Sequence, residues 1–131
     1  LKVSQEETGE YIIFIDPENP NSRFDDYGFF NFEITNFVDS EGFRVNSTST
    51  NIAVITDQAY SGRLTVELRD VRYYPDEYST WGYYHKSYDF PADGESHVQT
   101  YTGLSTSNTY YLHISAHGSY KKGTGLITAY A

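Results

Sequence analysis

Hydrophobic and polar residues alternate along much of this chain with a period of two, which is typical of β-strands buried on one face. The clearest run covers residues 62–69, where Leu64, Val66 and Leu68 share one face and polar side chains take the other. The alternation changes phase after Leu68, so we predict a bulge or the end of the strand near Asp70. A strand with one polar, solvent-facing side is typical of an antiparallel sheet that packs against the core on its other side.

Further strands are predicted at residues 10–15, 28–35, 43–45, 51–56, 81–90, 97–102, 108–116 and 125–130. The Pro-Ala-Asp-Gly sequence at residues 91–94 predicts the turn that closes the strand 81–90, and residues 118–123 are predicted to form a loop. The side chains that we expect to face the core are Phe30, Phe32, Ile34, Tyr84, Tyr88, Phe90, Tyr110, Leu112, Ile114 and Ala116.

These strands, separated by regular turn signals and without a helical period, predict a single all-β domain over residues 1–131. Residues 1–9 are polar and are expected to form a loose lead-in. We predict an antiparallel β-sandwich or jelly roll of about eight or nine strands, with a small barrel as the alternative.

The composition favours the same fold, because the 131 residues include 14 tyrosines and one tryptophan but no cysteine and no methionine. Tyrosine suits a half-buried pleated surface, with its ring inward and its hydroxyl at the edge. Without cysteine, disulfides, thiolate zinc sites and cysteine nucleophiles are excluded. Because the chain begins at Leu1 and has no methionine, we expect a processed or excised segment, with a signal peptide removed and a secreted or cell-surface location.

The formal net charge of −9 at pH 7 argues against nucleic-acid binding, since affinity for phosphates comes from clustered lysine and arginine. The longest apolar run, residues 11–15, is far shorter than the roughly 20 residues of a membrane helix, so we expect no membrane insertion. The acidity is typical of a soluble extracellular protein, and cation binding is the alternative interpretation.

Three segments of the C-terminal part have recognisable strand and turn sequences. Residues 61–70 (SGRLTVELRD), 100–112 (TYTGLSTSNTYYL) and 123–128 (GTGLIT) follow one another as strand, turn and strand. Together they resemble the bacterial pre-peptidase C-terminal type of β-sandwich over roughly residues 50–130. That resemblance implies an accessory module of secreted enzymes or surface proteins, some of which bind collagen or calcium, and it carries over no functional residue.

Residues 73–90 are dense in aromatic side chains and are predicted to form a long hairpin. Trp81, Tyr83 and His85 would lie on the outer face of its second strand, beside two carboxylates that could accept hydrogen bonds from sugar hydroxyls. Exposed aromatic patches of this kind often mark binding surfaces, whereas cross-strand aromatic pairing that stabilises an edge hairpin is the alternative. The candidate ligand-binding residues are Tyr73, Tyr74, Asp76, Glu77, Tyr78, Trp81, Tyr83 and His85.

The acidic loop after Ile15 offers several oxygen ligands, which are the ligands that calcium prefers. An EF-hand is excluded, because Asn21 and Tyr27 stand where that loop needs glycine and glutamate. A structural calcium site is one interpretation and a solvated acidic loop is the other; no other cofactor is predicted. The candidate metal ligands are Asp16, Glu18, Asn19, Asp25 and Asp26.

The histidines do not form a metal motif in this interpretation. His113 and His117 have the spacing of a zinc pair on a helix, but on a strand they are about 13 Å apart. His85 and His97 lie on either side of the predicted turn at residues 91–94, where they could approach each other as a surface pair. Asn46 begins a glycosylation sequon, which has meaning only in a host that glycosylates.

These observations predict a secreted or cell-surface, non-catalytic binding or accessory module that recognises an extracellular glycan or protein through the aromatic hairpin. The alternative is a structural or assembly domain that packs against itself or a partner domain. A small hydrolase is a distant third hypothesis, because a fold of this size rarely has room for a substrate cleft and no serine lies in a nucleophile elbow. Carboxylate pairs for glycoside hydrolysis keep this hypothesis open, since such pairs assemble in space and not in sequence.

Overall fold

The fold is described from a computed structural model, which covers residues 11–15, 27–72 and 83–131; residues 13–15 are described through their backbone. The described residues form ten strands and no helix. The strands are β1 (Tyr11–Ile15), β2 (Tyr27–Ile34), β3 (Phe37–Asp39), β4 (Phe43–Arg44), β5 (Ser49–Thr56), β6 (Ala59–Asp70), β7 (His85–Asp93), β8 (His97–Thr102), β9 (Thr109–Ser115) and β10 (Lys121–Thr128).

The strands form two antiparallel sheets of five strands each. Sheet A has the order β1-β2-β10-β5-β8, and sheet B has the order β3-β9-β6-β7 with β4 also paired to β9. From β7 onward, each successive strand lies in the opposite sheet, so the chain passes repeatedly from one sheet to the other. The predicted antiparallel β-sandwich is therefore confirmed, and the count exceeds nine because the short strand β3 was not predicted.

The core lies between the inner faces of the two sheets, and the predicted alternation identifies it correctly. Phe30, Phe32 and Ile34 of β2 are fully buried. Leu112 and Ile114 of β9 are buried opposite them, and Tyr84 and Tyr88 are partly buried against the same cluster. The two sheets are also joined by a hydrogen bond of 2.7 Å from the Tyr101 hydroxyl on β8 to the Val66 carbonyl on β6.

Two glycines allow β10 to lie in the middle of sheet A. A Cβ atom on Gly125 would overlap the ring of Phe30, and one on Gly123 would overlap the ring of Phe32 and the Ile55 carbonyl. The two rings therefore lie directly against the backbone of β10. This close approach is the reason that two core positions of a central strand carry no side chain.

The predicted phase change near Asp70 corresponds to the end of β6. A register shift lies instead at the other end of β6, between Ala59 and Arg63, where Gly62 has a φ of 87°. The strand therefore begins before the predicted residue 62 and contains its irregularity close to its start.

The predicted turn at residues 91–94 is wrong, because β7 continues through Pro91 to Asp93. β7 is an edge strand, and Pro91 has a register partner, Arg63, on one side only. The N–H that proline lacks is therefore not needed for the hydrogen bonds of the sheet. The turn follows at Gly94, which has a φ of 82°. The start of the predicted strand 81–90 is corrected as well, since β7 begins at His85; residues 81–82 lie outside the described part.

The predicted loop 118–123 is shorter than expected, because β10 begins at Lys121. The side chain of Lys121 is buried, which the pattern of polar residues does not predict. Its ammonium group donates to the carbonyls of Ala116, at 3.2 Å, and Ser119, at 3.0 Å, so the buried charge is hydrogen-bonded. Among the residues that the structure describes, no helix is long and apolar enough to cross a membrane.

Candidate functional site

The structure describes two of the predicted ligand-binding residues, Tyr83 and His85, immediately before and at the start of β7. The remaining candidates of that group, Tyr73, Tyr74, Asp76, Glu77, Tyr78 and Trp81, lie outside the described residues. The candidate calcium ligands Asp16, Glu18, Asn19, Asp25 and Asp26 lie outside them too, so the calcium site stays a prediction.

Tyr83 and His85 line a polar depression of about 490 Å³ at one end of the sandwich. It lies where β6 ends, where β7 begins and where the loop between β8 and β9 passes. We call it the Tyr84 pocket, and its lining residues are Asp70, Arg72, Tyr83, Tyr84, His85, Gly103, Ser105, Asn108 and Tyr110.

An ion pair between Asp70 and Arg72 forms one wall of the Tyr84 pocket. The two guanidinium nitrogens Nε and Nη2 of Arg72 donate to the two carboxylate oxygens of Asp70 at 2.8 and 2.7 Å. The Arg72 backbone N–H also donates to Asp70, at 2.9 Å. These hydrogen bonds hold the pKa of the buried Asp70 carboxyl below its ordinary value and raise the pKa of Arg72. The pair is therefore ionised and fixed in orientation.

The guanidinium of Arg72 also lies over the ring of Tyr83, with 4.4 Å between Cζ and the ring centroid. A cation at this distance from an aromatic face is attracted by the ring quadrupole. Asp70 and Tyr83 thus hold the arginine from two sides, although about half of its side chain is exposed.

Tyr84 also lines the pocket, with its ring edge-to-face against the buried Tyr110 at a centroid distance of 5.7 Å. Its hydroxyl oxygen is shielded from solvent and has no hydrogen-bond partner among the described residues. Burial raises the pKa of Tyr84 to about 12, so the hydroxyl remains protonated near neutral pH. The hydroxyl of Tyr110, by contrast, accepts a hydrogen bond of 2.8 Å from the Ser105 backbone N–H.

His85 connects the pocket to the outer face of sheet B. Its Nδ1 lies 3.1 Å from Oε2 of Glu67, and the other oxygen of Glu67 is 2.9 Å from Nη2 of Arg69. Glu67 is thus shared between a histidine and an arginine, which keeps its carboxylate on the sheet and turned away from the pocket.

The arrangement is suited to recognition of a polar, uncharged ligand. The Asp70–Arg72 pair is internally compensated in charge, the Tyr83 and Tyr84 rings offer apolar area, and Asn108 offers an amide group. Ser105, the serine of the pocket, shares a hydrogen bond of 2.8 Å with Ser107. These groups can hold a ligand by stacking and hydrogen bonds.

The histidines are distributed over separate partners. His113 pairs with Asp39, His117 contacts the Thr65 hydroxyl, and His97 pairs with Asp93. His85 and His97 therefore do not form the surface pair that we considered, because each contacts its own carboxylate and the two lie in different sheets. In the described part of the chain, no group of three or more His, Asp or Glu side chains could hold a metal ion.

Sequence reasoning missed Asp70 and Arg72 as site residues and placed Tyr84 in the core only. One local signal was available: Asp70 lies at the phase change that ends β6, and Arg72 follows two residues later, where an Asx turn brings side chain and backbone together. The contribution of Gly103, Ser105 and Asn108 depends on the packing of the β8–β9 loop, which no local pattern reveals.

No protein-family model matches the chain, and no curated protein matches it. Among solved structures, it is similar to TmCBM61 in complex with β-1,4-galactotriose, with 12% identity and a TM-score of 0.43 over 98% of this chain and 84% of that one. It is also similar to a carbohydrate-binding module of the β-sandwich superfamily, with 11% identity and a TM-score of 0.46 over 92% of this chain and 52% of that one. A cupin domain from Schizosaccharomyces pombe has 6% identity and a TM-score of 0.40 over 98% of this chain and 69% of its own.

Proposed function

We propose that this chain is a non-catalytic binding module that recognises an extracellular, uncharged glycan in the Tyr84 pocket. The observation that carries the proposal is the Arg72 guanidinium, which Asp70 fixes over the ring of Tyr83 in the wall of the Tyr84 pocket. Of the five N–H donors of a guanidinium, Asp70 takes one from Nε and one from Nη2. The donors that Asp70 does not take lie on a side chain that is 53% exposed, where a ligand hydroxyl can accept from them.

The charge of the pocket supports an uncharged ligand. Both oxygens of Asp70 are bonded to Arg72, so an anionic ligand would compete with Asp70 for the guanidinium and would also be repelled by it. A cationic ligand would meet the same opposition from Arg72. Sugar hydroxyls, which both donate and accept, match the amide of Asn108 and the guanidinium of Arg72, and sugar rings have apolar faces that pack on aromatic rings.

The proposal that the module is non-catalytic is supported by the hydrogen bonds of its polar groups. In the described pocket, Ser105 is bonded to Ser107 and His85 to Glu67, and neither pair is arranged as a nucleophile with its base. Turnover of any substrate in a broad chromogenic glycoside and ester panel would overturn this part of the proposal.

Replacing Arg72→Gln tests the proposed site, because it removes the guanidinium and keeps part of the aliphatic stem. We expect the free energy of unfolding to fall by about 1–3 kcal/mol, since the buried Asp70 carboxylate loses its hydrogen bonds from the guanidinium. Affinity for the retained polysaccharide should fall about tenfold or more, as expected for the loss of a charged hydrogen-bond donor. Affinity electrophoresis over a panel of neutral polysaccharides, followed by calorimetry on the best ligand, measures the second effect.

Two tyrosine variants serve as controls. Tyr110→Phe removes a hydroxyl that accepts from Ser105, so it should lower stability. Tyr60→Phe removes a distant hydroxyl that donates to Asp57 at 2.6 Å, so it should leave affinity unchanged. Absence of binding to every neutral polysaccharide, or equal affinity of the wild type and Arg72→Gln, would contradict the proposal.

A further inference from the structure

The outer face of sheet A carries a continuous apolar row across four neighbouring strands. Phe29 on β2 is the register partner of Leu126 on β10, Leu126 is the partner of Ala53 on β5, and Ala53 is the partner of Val98 on β8. Phe29 is 42% exposed and Val98 is 56% exposed. The row therefore presents large apolar side chains to solvent from one side of the sheet to its edge.

Further apolar side chains widen this row into a patch. Ile55 and Tyr27, on the same face, are 40% and 47% exposed. A groove of about 430 Å³ runs over the patch, with Phe29, Ala53, Ile55 and Leu126 among its lining residues. Single exposed apolar residues are ordinary, but a contiguous patch of this kind is typical of an interaction surface.

The charges on this face are few. Of the outward-facing side chains described on its strands, Glu33 and Lys122 are charged, with opposite signs, and these two residues are register partners on β2 and β10. The polar neighbours of the row, such as Asn31 and Thr124, are neutral. The chain as a whole has a net charge of −9, so copies of it repel each other, and a neutral contact surface is the one that adds least to this repulsion.

The outer face of sheet B is different in this respect. Arg63 pairs with Asp89, Glu67 with Arg69 and His85, and His113 with Asp39. Its polar groups bond to one another within the molecule. The contrast between the two faces assigns the neutral, apolar one as the surface through which a second copy can approach.

We propose that two copies of this chain associate through the outer faces of their A sheets. Five strands about 4.8 Å apart and about 25 Å long give a flat sheet area of about 600 Å². Because side chains project from the sheet, the accessible surface area is larger and comes near the roughly 800 Å² per partner of a standard interface. In a two-fold dimer the same patch serves both copies, so the groove of each receives apolar side chains of the other. This inference is independent of the Tyr84 pocket, which lies at the end of the sandwich.

Sedimentation velocity of the whole chain over a concentration range from about 10 µM to about 1 mM tests the proposal. We expect a reversible monomer–dimer equilibrium. Because the interface is apolar and the two copies carry like net charge, the dimer should become more stable as salt is raised. A monomer at all concentrations and salt levels would overturn the proposal, and so would a dimer that dissociates in high salt.

Matched variants locate the interface. Val98→Glu and Phe29→Ser should each weaken the dimer at least tenfold. Val71→Glu and Phe37→Ser, which change residues 41% and 48% exposed away from sheet A, should leave it unchanged. Circular dichroism confirms that each variant is folded, and a variant that unfolds is replaced by Thr124→Glu on the same face. Equal weakening by both sets would place the interface elsewhere and overturn the proposal; loss of glycan binding would leave it standing.

Discussion

At the residue scale, Asp70 organises the Tyr84 pocket. Its carboxylate is almost fully buried at the end of β6, and it bonds to both the backbone and the guanidinium of Arg72. The arginine is therefore placed over Tyr83 before any ligand arrives, which reduces the entropy lost on binding.

We predict that Asp70→Asn lowers the free energy of unfolding by about 1–3 kcal/mol at pH 7, because the variant loses a charged hydrogen-bond acceptor. Arg72 hydrogen bonds hold the pKa of Asp70 below that of the unfolded chain. The stabilisation is therefore complete above the unfolded pKa of about 3.9 and is lost as the pH falls through the lower folded value. Urea denaturation of both proteins between pH 7 and pH 2 measures the difference.

The variant cannot ionise at position 70, so its stability should lack this part of the acid dependence. The gap between wild type and Asp70→Asn should narrow below about pH 4. A gap that stays constant with pH, or that widens in acid, would show that Arg72 does not stabilise the ionised form of Asp70.

At the scale of strands, β10 depends on its glycines, which place its backbone against two phenylalanine rings. Gly125 lies beside Phe30, and Gly123 lies beside Phe32. Neither glycine has a positive φ. Their role is therefore to leave space and not to permit an unusual backbone conformation.

We predict that Gly125→Ala destabilises the protein by about 1–3 kcal/mol through overpacking. Phe30→Leu, which removes the overlapping ring, should recover part of this loss in the double variant, with a coupling energy of about 1 kcal/mol or more. Urea denaturation of the four proteins of this cycle gives the coupling energy. Strictly additive effects would show that Phe30 is not what the new methyl group meets.

The strands were predictable from the sequence because alternation with a period of two records which side chains face the core. Their ends were less predictable. Proline is typical of turns, yet Pro91 lies within β7, because a residue of an edge strand does not need its N–H for the sheet. Lys121 looks like a loop residue, yet it begins β10 because the carbonyls of Ala116 and Ser119 accept from its ammonium group. Pro91 depends on a partner strand distant in sequence, whereas the carbonyls that accept from Lys121 lie only five and two residues before it.

At the scale of the whole molecule, the two outer faces have different chemistry, which the overall charge does not show. Charged side chains pair on sheet B, while the register of sheet A brings apolar side chains into one row. The sequence contains both sets, but only the strand order decides which residues become neighbours. For the same reason the lining of the Tyr84 pocket was not predictable as a set: Tyr83 and His85 were candidate ligand-binding residues, which stays a prediction, and the loop carrying Ser105 and Asn108 was not considered.

The molecule therefore has two separate surfaces with separate proposed roles. The Tyr84 pocket lies at the end of the sandwich, beside the start of β7, and the apolar row lies on the outer face of sheet A. The resemblance to pre-peptidase C-terminal modules stays a prediction.

The central claim is that an uncharged glycan binds in the Tyr84 pocket. Titration of the isotopically labelled chain with the best-retained neutral oligosaccharide, followed by amide and side-chain NMR shifts, tests it most directly. We predict saturable shifts centred on Arg72, Tyr84, Ser105 and Asn108, with the Arg72 guanidinium and Asn108 side-chain signals among them. Shifts confined to the outer face of sheet A, or no shifts at saturating oligosaccharide, would contradict the account.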